Sequence, residues 1–433
     1  MSTLSFSLCF LLMIGLMLLG IPIAVTMVLV GAGAGVVVFG TPFLTSCGSM
    51  LWGVLNDNLL TAAPLFILLG ELLLRSGVAD RMYQVMSAWL SRMPGGLLHT
   101  NIGCCALFAA TSGSSVATAA TVGTVALPSL RARNYRMSDA LGSLAAGGTL
   151  GILIPPSVNM IVYGSLTENS IGRLFMAGII PGLLLTGSFM LYIYLNAILR
   201  GNTTREELPP LRERIALLVH LVPPFVIFGI VMGSLYTGIA TATESAALGV
   251  MAALFFTWRS GRLNMELLEN CFLQTARITG MIMLILAAAF VLNLLISLSG
   301  VADKMTQSVM SLGLSATAML LVLIVFYLVL GMFMDVMSML VATVPITYPI
   351  VTALGVDPIW FGIFIILMCE LALITPPVGM NLFVVQGIRP DGGGIGDVIR
   401  GTLPYVAILI LFTLLLIAFP ALVTWLPNLG VNG

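Results

Sequence analysis

Long apolar runs, separated by short polar stretches, set the pattern of this 433-residue chain. Most of these runs reach the roughly 20 residues that an α-helix needs to cross a lipid bilayer. They predict crossings near residues 4–19, 22–40, 51–75, 138–164, 171–199, 215–235, 238–258, 278–297, 359–387 and 403–426. We therefore predict an all-α polytopic membrane protein.

Two apolar regions, residues 97–131 and 314–352, have small or polar centres and do not fit single crossings. The centres are Thr111–Ser115 and Met334–Ser338. Each half has about 15 residues and reaches roughly 22 Å at about 1.5 Å per residue, which is short of a full span. We predict two re-entrant helical hairpins, at 97–131 and 314–352, whose tips lie inside the membrane.

Two of the predicted crossings, 138–164 and 359–387, are interrupted by the pairs Pro155-Pro156 and Pro376-Pro377. Proline removes a backbone donor and blocks the helical turn. Irregular backbone at membrane depth is tolerated only where protein or a water-filled cavity covers it. Broken helices at matching positions in two halves of a chain are typical of transporter binding sites.

The second half of the chain repeats landmarks of the first. Ser76–Met82 (SGVADRM) returns 223 residues later as Ser299–Met305 (SGVADKM). The Pro-Pro pairs are 221 residues apart, and so are Pro128 and Pro349, the prolines near the ends of the hairpins. Three landmarks at nearly one offset indicate an internal duplication.

Composition and charge add an orientation to this picture. The chain is 59% hydrophobic and 8% charged, whereas soluble proteins average about 25% charged residues. Its net charge is zero, so it has no electrostatic footprint for nucleic acid. Basic residues gather on the cytoplasmic side of membranes, and placing Arg75, Arg81 and Arg92 inside leaves only Arg173 and Lys304 outside. This count predicts that the second half is inverted and that both termini are external.

Hairpin tips and broken helices leave backbone carbonyls and N–H groups unpaired. Carbonyl and hydroxyl oxygens suit a hard cation such as Na⁺, and N–H groups at positive helix ends suit an anion. The candidate first cation site comprises Ser112, Gly113, Ser114, Ser115, Gly151, Pro155 and Asn159. The candidate second cation site comprises Asp335, Ser338, Thr375, Pro376, Gly379 and Asn381. The candidate substrate-binding residues are Ser115, Thr118, Pro156, Ser157 and Pro377.

These features also have structural interpretations. The Ser-Gly-Ser-Ser tip could be a seam at which small residues let helices approach closely, and a Pro-Pro pair could be a simple kink. Asp335 is the strongest single candidate, because a carboxylate at a re-entrant tip is expensive and therefore functional by default. For Glu71, Glu244 and Glu370 a structural role is favoured over ligand binding.

Five segments of the chain closely resemble the large membrane subunit of tripartite ATP-independent periplasmic (TRAP) transporters. They follow the family's order along almost the whole chain: Pro64–Glu71, Ser112–Thr118, Leu144–Ser157, Tyr236–Glu244 and Ile374–Leu382. One departure is Ala242, where the family usually has proline, and it affects only the local entry into a helix.

The resemblance implies an elevator-type transporter, in which a transport domain with both hairpins and both broken helices moves against a scaffold. It implies import of an organic anion (a C4-dicarboxylate, another carboxylate or sialic acid) driven by Na⁺ bound at the tips and facing breaks. A periplasmic substrate-binding protein would deliver the substrate to the outer face of the inner membrane. A separate small four-helix membrane subunit would pack against this chain. Neither an organic cofactor nor an enzymatic activity is implied.

This interpretation assigns a role to each part of the chain. Residues 1–75 and 215–297 would be scaffold, 76–96 and 298–313 interfacial arm helices, 97–199 and 314–426 the transport-domain halves, and 200–214 a cytoplasmic loop.

Three rival functions fit parts of the pattern. A stand-alone Na⁺/anion symporter of the same architecture would work without a binding protein. An intramembrane enzyme needs two converging acids, and Asp335 has no counterpart in the first half. A channel is disfavoured because duplicated broken helices suit alternating access. ATP is not expected to drive transport, because the one lysine, Lys304, follows Val-Ala-Asp and not a glycine-rich phosphate loop.

Overall fold

The computed structural model describes residues 3–56, 60–201, 209–311 and 313–429, and every regular element within them is helical. The prediction of an all-helical chain with several apolar helices is confirmed. The first eleven α-helices are α1 (Thr3–Leu18), α2 (Ile23–Phe39), α3 (Pro42–Leu55), α4 (Ala62–Arg75), α5 (Val78–Leu90), α6 (Leu97–Ser112), α7 (Ser115–Ala132), α8 (Met137–Leu153), α9 (Val158–Thr167), α10 (Ile171–Leu199) and α11 (Leu211–Leu217). The following ones are α12 (Val222–Tyr236), α13 (Ala242–Arg259), α14 (Met265–Ser299), α15 (Val301–Ser311), α16 (Ala316–Gly331), α17 (Val336–Ala353), α18 (Pro358–Ile374), α19 (Met380–Gly387), α20 (Ile395–Ala418) and α21 (Ala421–Leu429).

Several helices are long and apolar enough to cross a membrane. Within the described ranges, α10, α14, α17, α20 and the continuous segment Leu211–Tyr236 meet this condition individually. That segment joins α11 to α12 through a 3₁₀ turn at Leu218–Leu221. The bent pairs α4–α5, at 67°, and α8–α9, at 41°, meet it when each pair is taken together. The chain is therefore a multi-pass membrane protein.

Two predicted crossings are wrong as single helices. The segment 51–75 contains the end of α3 and all of α4, and residues 57–59 between them lie outside the described residues. Helix α3 is followed by Asn56, whose side-chain amide donates back to the carbonyl of Trp52 at 2.7 Å, a local bond that competes with helix continuation. The segment 403–426 is divided into α20 and α21, because Pro420 has no N–H with which to continue the first helix.

Two other crossings begin elsewhere than predicted because of capping residues. Helix α13 begins at Ala242, where the Thr241 hydroxyl accepts the N–H of Glu244 and the Glu244 carboxylate accepts the N–H of Thr241. Helix α14 begins at Met265 and not near 278, because the side-chain carbonyl of Asn264 accepts the N–H of Leu267 at 2.7 Å. Such caps satisfy the first amides of a helix and typically contribute about 1 kcal/mol. Within the predicted loop 200–214, α11 begins at Leu211.

The two helices that precede the Pro-Pro pairs form the centre of the molecule. In α8 every residue from Ala140 to Leu153 is buried, and in α18 every residue from Ile359 to Ile374 is buried. Helix α8 packs against α6, α7, α18 and α20, and α18 packs against α16 and α17. Helices α2, α3, α4, α12, α13 and α14 form a second set of mutually packed helices.

The predicted hairpins and arms coincide with helices at matching offsets. Helices α6 and α7 occupy the first hairpin segment, and α16 and α17 occupy the second. Helix α17 begins and ends 221 residues after α7, as does the end of α18 relative to that of α8. The amphipathic arm segments contain α5 and α15. The inversion of the second half, and the re-entry of the hairpins into a membrane, stay predictions.

Candidate functional site

The first hairpin tip is a tight turn built by its own polar residues. Helix α6 ends at Ser112, and Gly113 follows in the left-handed region with φ +62°, which glycine adopts without a steric cost. The Ser114 hydroxyl caps α7 by accepting the N–H of Ala117 at 3.4 Å. Thr118 donates its hydroxyl to the Ser114 carbonyl at 2.7 Å, so it accepts the hydroxyl of Ser112 at 2.9 Å. This network lies within the tip itself.

This tip lies directly against the first break. A Cβ atom placed on Gly151 of α8 would stand 2.6 Å from the Ser114 carbonyl oxygen, and one on Gly113 would stand 2.7 Å from the Pro156 carbonyl oxygen. Only glycine allows the two backbones to approach so closely. Past the break, the Ser157 hydroxyl caps α9 by accepting the N–H of Met160. The predicted residues Ser112–Ser115, Gly151 and Pro155–Ser157 are thus brought together.

The second tip is built in the same way, with a carboxylate in place of a hydroxyl. Asp335 caps α17, accepting the N–H of Ser338 at 3.1 Å and also the Ser338 hydroxyl. The tip meets its own break, because the N–H of Val378 donates to the Met332 carbonyl at 3.3 Å. At the break, Thr375 donates to the Leu371 carbonyl at 2.6 Å.

The peptide bonds Pro155-Pro156 and Pro376-Pro377 are both cis. The two breaks differ, however, in exposure: Pro156 and Ser157 are buried, whereas Pro377 is exposed. The other candidate substrate residues, Ser115 and Thr118, are buried as well. Four of the five candidate substrate residues are therefore buried, and Pro377 is exposed.

The side chain of Asn381 contacts the first tip. Its side-chain amide donates to the Ser115 hydroxyl at 2.8 Å and to the Ala145 carbonyl at 3.1 Å. The prediction that grouped Asn381 with Asp335 is thus not supported by these contacts. Helix α19, which carries Asn381, packs against α7, and α9, which carries Asn159, packs against α17 of the second hairpin. Sequence reasoning missed this exchange, although the two asparagines are out of register in the duplication by one position.

The three glutamates have separate environments. Glu71 forms an ion pair with Arg75 at 3.3 Å, and Glu244 is exposed and caps α13. Glu370 on α18 is fully buried, and its two carboxyl oxygens have no hydrogen-bond partner among the described residues. The pairing of Glu71 and the capping by Glu244 agree with the structural roles favoured from sequence.

A charged cluster closes the loop after α19. Arg389 donates to Asp391 and Asp397, each at 2.9 Å, and to the Gly394 carbonyl at 3.0 Å. The hydrogen bond from Arg389 holds the pKa of the Asp391 carboxyl below its usual value. This cluster fixes the loop that leads from the second break into α20.

Comparison with known proteins gives one consistent result. Residues 10–422 match the family model described as tripartite ATP-independent periplasmic transporter, DctM component. The chain is 36% identical to the C4-dicarboxylate TRAP transporter large permease protein DctM of Pseudomonas aeruginosa, over 92% of this chain and 93% of that protein. It is 30% identical to the sialic acid TRAP transporter large permease protein SiaM of Vibrio cholerae, over 96% and 97% respectively.

A solved structure shares the fold. The Alcanivorax borkumensis YdaH transporter superposes with a TM-score of 0.60 at 17% identity, covering 88% of this chain and 89% of that one. At that identity the likeness concerns the fold alone.

Proposed function

Because the chain belongs to the family of TRAP transporter large permease subunits, which are multi-pass membrane transporter components for small organic acids and not enzymes, we propose that it imports a small carboxylate by Na⁺ symport. The substrate arrives on a periplasmic binding protein, and a separate small four-helix membrane subunit completes the complex in the inner membrane. The transport domain, made of the two hairpins and two broken helices, moves as an elevator against the scaffold. The two halves are inverted relative to each other, with both termini external.

One observation carries this proposal: each polar hairpin tip meets the Pro-Pro break of its own half by backbone contact. The contacts join Gly151 to Ser114 and Val378 to Met332. Backbone carbonyls and hydroxyls of this kind, at the ends of broken helices, are the usual Na⁺ ligands in secondary transporters. Asp335 adds a negative charge to the second tip alone.

Na⁺ binding can be tested on the purified chain without knowing its substrate. Unfolding temperatures would be compared in NaCl and KCl at equal ionic strength, because a ligand that binds only the folded state raises the unfolding temperature. We expect Na⁺ to stabilise the wild type more than K⁺ does, and Asp335→Asn to remove most of the difference. Asp357→Asn is the matched control, since Asp357 caps α18 by the same bond, to Trp360 at 2.8 Å, away from both tips.

The first tip has its own pair of variants. Ser114→Ala removes the hydroxyl at the tip, whereas Thr124→Ala removes an exposed hydroxyl on the same helix that donates to the Ala120 carbonyl. Loss of Na⁺ stabilisation in Ser114→Ala but not in Thr124→Ala supports the first cation site. Equal Na⁺ and K⁺ effects in the wild type would refute Na⁺ coupling.

Transport itself would be measured in proteoliposomes with succinate and sialic acid as probes, with and without an inward Na⁺ gradient. We expect uptake only when the small subunit and the binding protein are both present. Uptake by this chain alone would instead identify a stand-alone Na⁺/anion symporter of the same architecture.

A further inference from the structure

A cavity of about 460 Å³ lies beside the base of the first hairpin, at the opposite end of α6 from the tip. It is formed by the loop before α6, the start of α8 and the end of α10. Its volume is within the range of roughly 300–1,000 Å³ that is typical of small-molecule sites. Neither the candidate cation residues nor the candidate substrate residues line it.

The polar side of the cavity is basic. Arg136 and Arg200 both line it, with the Asn196 amide between them in sequence. One guanidinium nitrogen of Arg200 pairs with Asp139 at 2.9 Å, and its side chain is still 46% exposed, so other N–H groups are available. Arg136 is exposed and has no ion-pair partner among the residues that the structure describes. The lining groups Arg136, Arg200 and Asp139 sum to one positive charge.

Two helix N-termini converge on the same cavity. Gly96 and Arg136, which line it, are the N-cap residues of α6 and α8, and neither provides a side-chain cap. The first amides of a helix lack intrahelical acceptors and carry a partial positive charge. At α6 the N–H of Leu97 donates to the Tyr135 hydroxyl, and those of Leu98 and His99 donate to the Gly95 and Gly96 carbonyls, each at 3.1 Å, so α6 contributes through its dipole and not through free amides. The amide dipoles and the two guanidinium groups therefore have the same sign and favour an anion.

The remaining side of the cavity is apolar, and exposed apolar residues lie at the same end of α10. Leu98, Ile193 and Ala197 line it, and Ile198 and Leu199 at the same end of α10 are 46% and 85% exposed. Helix α10 is a candidate membrane span that ends at Leu199, directly before Arg200. The cavity thus lies at the end of a candidate membrane span, the level at which lipid headgroups lie.

We propose that this cavity binds the phosphate of an anionic phospholipid, with the arginines on the phosphate and the glycerol and acyl carbons against the apolar side. Basic pockets between membrane helices on the cytoplasmic side are suited to such headgroups. The same phosphate chemistry is present in free phosphate, but free phosphate makes no use of the apolar side. None of the candidate cation or substrate residues lines the site, and the proposal does not depend on Na⁺ coupling.

The test uses the full-length chain in detergent and native mass spectrometry with added phosphatidylglycerol. Arg136→Gln lowers the net charge of the cavity by one, whereas the pair Arg200→Gln with Asp139→Asn removes the Arg200 guanidinium donors at constant net charge and leaves no unpaired carboxylate. Arg259→Gln is the matched control, an exposed arginine in the last turn of α13. A charge-assisted hydrogen bond contributes enough for about a tenfold change in affinity. We therefore expect phosphatidylglycerol to bind at least tenfold more weakly to the cavity variants and unchanged to Arg259→Gln.

Three results would overturn the proposal. They are unchanged phosphatidylglycerol binding in both cavity variants, an equal loss in Arg259→Gln, or equally tight binding of phosphatidylcholine. A fourth arm adds inorganic phosphate at millimolar concentration, and displacement of phosphatidylglycerol by it would assign the site to free phosphate. The unfolding temperature of each variant in neutral lipid must match that of the wild type. If Arg136→Gln does not fold, the charge is tested with Arg136→Lys, which keeps the positive charge and should still bind the lipid.

Discussion

The contact between the first tip and the first break can be tested by adding one methyl group. In Gly151→Ala the new Cβ atom would stand 2.6 Å from the Ser114 carbonyl oxygen and 2.9 Å from the Ser115 nitrogen, whereas real Cβ contacts essentially never fall below 3.0 Å. Both neighbours are backbone atoms, so no side-chain rotation can relieve the clash. Helix α8 and the tip must move apart by several tenths of an ångström.

The free-energy cost follows from two opposing terms. Overpacking a buried contact costs about 1–3 kcal/mol, and replacing glycine by alanine inside a helix returns about 1 kcal/mol. Because the clash is with backbone, we expect the upper part of the range and a net cost of about 2 kcal/mol. If Gly151→Ala destabilises the Na⁺-bound folded state by this amount relative to the Na⁺-free folded state, the Na⁺ concentration for half-maximal stabilisation rises roughly 30-fold.

The assay is thermal unfolding of the purified chain over a Na⁺ titration, with Gly187→Ala as the control. Gly187 is an exposed position inside α10, and a Cβ there meets no described atom within 4 Å. The control should therefore be unchanged or slightly stabilised. A normal unfolding temperature for Gly151→Ala would refute the packing argument. A lowered unfolding temperature with an unchanged Na⁺ requirement would show that the contact is structural and would refute the ion site at this tip.

Three further predictions follow from individual side chains. Asn381→Ala removes both hydrogen bonds at the first tip and should cost about 1–3 kcal/mol of stability, because the Ser115 hydroxyl loses a buried partner. Its effect on half-maximal Na⁺ should resemble that of Ser115→Ala, and independent effects in the double variant would contradict the contact. Asp335→Ala should be less stable than Asp335→Asn by about 1 kcal/mol in chemical unfolding, because asparagine keeps the helix cap and alanine does not. Arg389→Gln should remove the stabilisation that comes from the lowered pKa of Asp391. That stabilisation is present above the ordinary aspartate value of about 4 and is lost as pH falls through the folded-state pKa, so variant and wild type should converge in stability at the acid end of a pH series and differ at neutral pH.

Much of the fold could be predicted because local chemistry decides it. The ends of α8 and α18 follow from the Pro-Pro pairs, and the starts of α7 and α17 follow from Ser114 and Asp335, residues that cap a helix wherever they precede an apolar run. The repeat offset carries the same information from one half to the other. Local rules also explain why the predictions of single crossings at 51–75 and 403–426 were wrong. Those predictions rested on the length of the apolar run and overlooked the helix ends that Asn56 and Pro420 mark.

The grouping of the site residues could not be predicted in the same way. Asn381 and Ser115 are 266 residues apart, and whether α19 packs on α7 or on α17 depends on the whole arrangement of helices. The basic cavity has the same origin, because it combines the loop before α6 with the ends of two other helices. Neither feature has a periodic or local signal in the sequence. The full burial of Glu370 is likewise a property of the packed centre and not of its neighbours in sequence.

The exchange of partners links the two halves of the molecule. The half-helix after each break is bonded to the other half of the molecule: Asn381 of α19 reaches Ser115, and Tyr163 of α9 donates its hydroxyl to the Pro358 carbonyl at 2.7 Å. The amide of Asn169, just past α9, adds a bond to the Tyr348 hydroxyl at 3.2 Å. Each tip is also in backbone contact with the break of its own half. A shift of α9 or α19 therefore strains bonds to the opposite half, because α19 is bonded to the first tip and α9 is bonded to the start of α18.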